Sequence, residues 1–175
     1  MESFKQKLED YKQWSIDQDW FQPEEHAVII QAGPGADEIQ LLEDEFGKLP
    51  ASYIQTLDEF GLSSFTYDCY VTRMLSPAEV IDLHEAVQAE MDFSDGLRET
   101  LLAEGVDLSR YIPVMAGAGM DGCWALLNIN EDSKGEIMYW DTDQPGFTDD
   151  IYDNLGSFIH ESIDRAKEND PLRLT

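Results

Sequence analysis

Between residues 117 and 122 the chain reads Gly117-Ala118-Gly119-Met120-Asp121-Gly122, a G-x-G-x-x-G spacing, with Asp141 and Asp143 about twenty residues further on. In a dinucleotide-binding loop such glycines let the backbone approach a pyrophosphate, and a helix beginning at the loop meets its charge with free amides. Here the residues that follow, Cys123 to Ile129, alternate like a strand. The expectation is therefore a glycine loop between strands that binds no dinucleotide. Asp141-Thr142-Asp143 offers hard oxygen ligands for a cation, with Asp149, Asp150 and Asp153 close behind. No glycine-centred loop of calcium-binding spacing completes the set, and a solvated acidic loop is the plainer expectation. His26, His84 and His160 lie far apart in sequence, with no nucleophile elbow or paired Cys-His signature beside them. His84 falls on an apolar stripe and is expected to be a structural histidine with its hydrogen bonds satisfied. No catalytic residue, metal or cofactor is expected, and the chain reads as a non-enzyme.

The residue types point instead to recognition of another protein. Trp124, Tyr139, Trp140, Phe147 and Tyr152 are interleaved with aspartates in the carboxy-terminal half. Most aromatics of a domain this size belong to its core. Trp140 and Phe147, flanked by acids and turn residues, are the candidates for an exposed anchor. With Asp121, Asp141, Asp143, Asp149 and Asp150 around them they form the expected partner-binding surface.

Charge narrows the class of partner. The 175 residues carry 37 acidic against 11 basic side chains, a formal net charge of −26. Such a field repels phosphate backbones and anionic headgroups, which argues against nucleic acid and membrane surfaces, and it speeds encounter with basic proteins. With 42% hydrophobic and 11% aromatic residues the chain has the material for a core, so its charge does not imply disorder. Met1 to Asp10 lacks the basic start and apolar stretch of a secretory signal, and no later apolar run approaches a membrane span, so a cytoplasmic location is expected. Cys69 and Cys123, each within an apolar alternating segment, are expected to be buried thiols rather than a disulfide or metal pair.

The elements that must position these residues follow from periodicity. Phe4, Leu8, Tyr11 and Trp14 predict an amphipathic amino-terminal helix, and Ile39, Leu42 and Phe46 a short helix ended by Gly47. Pro50 opens a third helix carrying Tyr53, Ile54, Leu57 and Phe60, ended by Gly61. Phe65 to Met74 alternates with period two and predicts one strand, with Phe65, Tyr67, Cys69 and Val71 on one side. Ser76-Pro77-Ala78-Glu79 is a capping box that starts a helix with Val80, His84, Val87 and Met91 as its buried stripe. A further helical piece carries Leu97 and Leu101 and stops at Gly105. Strands are predicted at Tyr111 to Met115, Cys123 to Asn130 and Glu136 to Asp141, the last two joined by a turn over residues 131–135, and a closing helix from about Leu155. The sum is an α+β fold, a mostly antiparallel sheet of about four to six strands packed by helices.

The order of these pieces carries a resemblance. The run Glu38-Ile39-Gln40-Leu41-Leu42-Glu43-Asp44-Glu45-Phe46-Gly47-Lys48-Leu49-Pro50-Ala51-Ser52-Tyr53, with Leu57 and Phe60-Gly61 after it, resembles the opening of the SUKH superfamily of Smi/Knr-type proteins. Met74-Leu75-Ser76, Ile112-Pro113-Val114, Trp124-Ala125-Leu126-Leu127, Gly135 to Asp141 and Gly156-Ser157-Phe158 are similar to its later motifs and stand in the same order. The likeness spans about Asp37 to Lys167, leaving residues 1–35 as an amino-terminal helical extension of a single domain. It departs from the family at Lys48, the only residue between Gly47 and Leu49, and at Phe60, where asparagine is common. What the resemblance implies is an α+β fold and, for bacterial members, an immunity protein that binds a cognate polymorphic toxin domain. The acidity here would suit a basic toxin, a nuclease above all. A regulatory scaffold of the fungal Smi type is the alternative, and a metal-dependent hydrolase built on Asp141 and Asp143 a third.

Overall fold

Helix α1 (Phe4–Asp17) turns Phe4, Leu8 and Tyr11 to one buried face, as their spacing predicts. The structure, a computed structural model, describes residues 3–17, 28–67, 70–92, 96–103, 105–118, 123–130, 133–141 and 151–167. A two-residue strand β1 (Val28–Ile29) precedes α2 (Ala36–Phe46) and α3 (Ala51–Phe60). Both helices end at glycine, Gly47 with φ 82° and Gly61 with φ 69°. At Gly61 the left-handed backbone is only half the reason, because a Cβ there would run into the Gln31 carbonyl. That close approach brings the chain after β1 against the end of α3, where the Leu62 amide donates to the Ala32 carbonyl at 3.2 Å.

The segment read as one strand is two. Strands β2 (Ser64–Tyr67) and β3 (Tyr70–Met74) pair antiparallel, Phe65 opposite Thr72 and Tyr67 opposite Tyr70. The alternation that put Phe65, Tyr67, Cys69 and Val71 on one side is therefore broken between β2 and β3, because Val71 pairs with Thr66 and not in line with Phe65. Cys69 itself lies outside the described residues. Helix α4 (Pro77–Asp92) starts as its capping box predicts. The Glu79 carboxylate accepts from the Ser76 amide at 2.9 Å and the Ser76 hydroxyl from the Glu79 amide at 3.4 Å. Burial raises the Glu79 pKa, but the Ser76 hydrogen bonds and the Arg73 guanidinium, 2.9 Å away, outweigh it and hold the carboxyl below its usual range.

After α5 (Leu97–Ala103) and a single 3-10 turn at Leu108–Arg110 come β4 (Tyr111–Ala118), β5 (Cys123–Asn128), β6 (Ile137–Asp141), β7 (Ile151–Tyr152) and α6 (Leu155–Lys167). Among the described residues the sheet has seven strands in sequence order, every neighbour antiparallel. The count exceeds the four to six expected because β1 and β7 are too short to show a period and β2–β3 reads as one run. Glycine loop residues Gly117 and Ala118 belong to β4, and the chain next enters β5 rather than a helix.

The middle of the sheet is covered on both faces, which is why β5 reads as a near-continuous apolar run. On one face Ala125, Leu127 and Ile137 join an apolar cluster with Phe4, Leu57 and Phe158. On the other, Leu126, Met138 and Trp140 pack with Val87, Leu101 and Leu108. Fully burying a side chain such as Leu8 or Leu126 stabilises roughly 1.5–3 kcal/mol. Helix α1, expected as an extension, packs on α3 and α6 and contributes to the first cluster. Cys123 is buried. Among the described residues no helix is long and apolar enough to cross a membrane.

Candidate functional site

The expected partner surface is only partly within view. Trp140 is fully buried, at 0% exposure, so it is no exposed anchor. Its register opposite Trp124 turns it to the face that α4 and α5 cover, and the acids beside it in sequence do not alter that. Asp141 ends β6 opposite Cys123. Asp121, Asp143, Phe147, Asp149 and Asp150 lie outside the described residues, as does His26.

A different place gathers polar side chains. Helix α3 carries Ser52, Gln55, Thr56 and Glu59, and α6 carries Ser157, His160, Glu161 and Asp164. Each set follows the i, i+3, i+4, i+7 spacing of one helix face. The two stripes line a groove of about 640 Å³. Phe4 of α1 closes the floor, its ring stacked on the His160 imidazole with centroids 4.3 Å apart. Gly156 gives that floor its depth, since a Cβ there would stand 3.2 Å from the Phe4 ring and from Asn154 Oδ1. Asn154 caps α6, its Oδ1 accepting from the Ser157 amide at 2.9 Å.

Among its described lining residues, the charged ones are Glu59, Glu161 and Asp164. Lys7, just below on α1, is buried and donates to Asp164 Oδ2 at 2.8 Å and to the His160 carbonyl at 3.0 Å. A buried ammonium needs such partners, and removing the Asp164 carboxylate would leave it stranded. On the other wall the Gln55 amide donates to Glu59 at 2.8 Å. The groove's hydroxyls are committed as well. Ser52 donates to the Lys134 carbonyl and Thr56 to the Ser52 carbonyl, both at 2.8 Å, and Ser157 Oγ lies 3.3 Å from Asn154 Oδ1. These bonds hold the hydroxyls of the two walls in place. Among the described residues no group of three histidine, cysteine, aspartate or glutamate side chains could hold a metal ion.

Of the histidines, His84 departs from expectation. It is half-buried, yet its Nε2 is enclosed without a hydrogen-bond partner among the described residues, and its ring meets Phe46 edge-on at 5.0 Å. Sequence reasoning missed the groove because its stripes are polar and lie on helices about a hundred residues apart, and only their packing brings them together. The signal available was the polar i, i+3, i+4, i+7 spacing on each. Compared with known proteins, the chain matches no protein-family model and no curated protein.

Proposed function

We propose that this protein is an immunity protein of the cytoplasm, which binds a cognate polymorphic toxin domain of basic charge, a nuclease, and neutralises it by occlusion. The observation that carries the reading is the net charge of −26, with a helix-walled groove whose described lining includes Glu59, Glu161 and Asp164. A nuclease keeps a basic surface for its substrate's phosphates, and an acidic protein competes for that surface through the same electrostatic attraction. The SUKH-like order of motifs supports a binding rather than a catalytic role. Long-range charge would set the rate of encounter, and desolvated contacts the rate of release.

The test is co-expression and titration. A toxin domain encoded beside this gene should kill cells when expressed alone and spare them when this protein is present, and calorimetry should give a submicromolar one-to-one complex at physiological salt. A toxin neighbour that neither binds nor is neutralised would overturn the assignment.

A further inference from the structure

We propose that α2 is a pH-operated flap: protonation of His84 releases it from α4, hinged at Gly35 and Gly47, while the sheet and the other helices keep their packing. The proposal stands apart from the immunity reading and concerns a movement of this chain alone.

Three observations carry it. The first is how lightly α2 is held. Leu42 is its one fully buried side chain, Ile39 and Phe46 lie half-buried against the same apolar cluster, and α4 is the main described element it packs on. Helix α3, by contrast, buries Tyr53, Thr56, Leu57 and Phe60. An element with few buried apolar contacts opens before the rest of a fold. The second is charge. Helices α2 and α4 carry five acidic residues each, and neither holds a lysine or arginine. They repel one another along the seam, and the apolar contacts hold against that load.

The third is the ring between them. His84 meets Phe46 edge-on, with centroids 5.0 Å apart, and its Nε2 is enclosed without a hydrogen-bond partner among the described residues. Neutral, the ring can carry its proton on Nδ1 and leave Nε2 a bare acceptor. Charged, it must also enclose an N–H donor at Nε2 with nothing there to accept it. Burial disfavours the imidazolium and outweighs the pull of the Glu45 carboxylate on α2 and the Glu85 carboxylate on α4, so the pKa lies below the ordinary 6.5. Two other elements pack on α4. Strand β4 brings the Tyr111 phenol, and α5 brings exposed Glu99 and Arg98, which is committed to Gln88 and Asp92 a turn or more further along. Swinging α2 aside removes Phe46 and returns the ring to water, where it titrates at its ordinary value. The closed form therefore binds a proton less readily than the open one. The flap is held fully above about pH 6.5 and is released as pH falls through the closed-state value. Glycine stands at both ends to absorb the movement, and at Gly47 a Cβ would meet no described atom within 4 Å.

Amide hydrogen exchange of the whole ¹⁵N-labelled protein reads the flap directly. Dividing each rate by its intrinsic value at the same pH leaves the opening equilibrium. Between about pH 7.5 and about pH 5.5, above the range where most carboxylates titrate, the amides of Leu42, Glu43 and Phe46 should lose protection about threefold or more relative to those of Leu57 in α3 and Leu126 in β5. In His84→Gln the same relative loss should stay below about 1.5-fold. Equal loss in α2, α3 and β5, an α2 that does not respond to pH, or a wild-type-sized response in His84→Gln would overturn the proposal. The first two outcomes are read from the wild-type protein and decide the matter even if the variant does not fold.

Discussion

His84 illustrates how one ring can tie stability to pH. Its burial at the seam of α2 and α4 disfavours the charged form and holds its pKa below the ordinary value of 6.5, although Glu45 and Glu85 pull the other way. The folded state thus binds a proton less readily than the unfolded one. This contribution to stability is full above about pH 6.5 and is lost as pH falls through the folded value. Between about pH 7.5 and about pH 5 the wild-type Tm should fall further than that of His84→Gln. Thermal melts of both in one buffer series check it, and comparing the two cancels the general effect of protonating carboxylates. Parallel curves would mean that the ring is not the responsible group. Residue identity alone did not reveal this environment. The apolar stripe placed His84 toward the core, but whether its nitrogen finds a partner depends on α2, which packs against it from forty residues away. Trp140 misled for a similar reason: neighbouring acids implied exposure, and the helices that bury it are elsewhere in the sequence.

At the scale of elements, the start of α4 was legible to the residue because capping is local chemistry. Ser76 and Glu79 exchange hydrogen bonds, and the Ser76 hydroxyl also meets the Glu79 carboxylate at 2.9 Å. Ser76→Ala should cost about 1 kcal/mol, read from urea denaturation as a lower midpoint with an unchanged slope. A loss below about 0.3 kcal/mol would show that Arg73 and Glu79 hold the helix start without the cap. The glycine stops after α2 and α3 were legible for the same local reason. The turn between β2 and β3 was not, since Asp68-Cys69 offers no glycine, proline or asparagine to break the alternation. Nor were β1 and β7, because two residues define no period. The groove lies between these cases: each of its stripes could be read from one helix, and the pairing of α3 with α6 could not.

For the whole molecule, it is charge that local contacts leave most unbalanced. Ion pairs such as Lys7–Asp164, Arg73–Glu79 and Arg98–Asp92 offset little of a balance of 37 acidic against 11 basic side chains. Most of the remaining carboxylates act as a repelling field. Raising NaCl from about 20 mM to about 0.5 M shortens the screening length severalfold and should raise Tm. A fall in Tm would mean that these few pairs outweigh the field, and differential scanning calorimetry at the two concentrations decides it. Helices α1 and α6 give the molecule a history as well as a shape. Lys7 finds its acceptors on α6, 153 residues away at His160, and the Phe4 ring stacks on the same residue. A ribosome adds about 5–20 residues per second, so on the order of ten seconds pass between the synthesis of α1 and that of the helix it closes against. During that interval α1 holds an ammonium without its α6 acceptors and an unstacked ring. In the order of birth, α6 comes long after α1 and is the helix that shelters it.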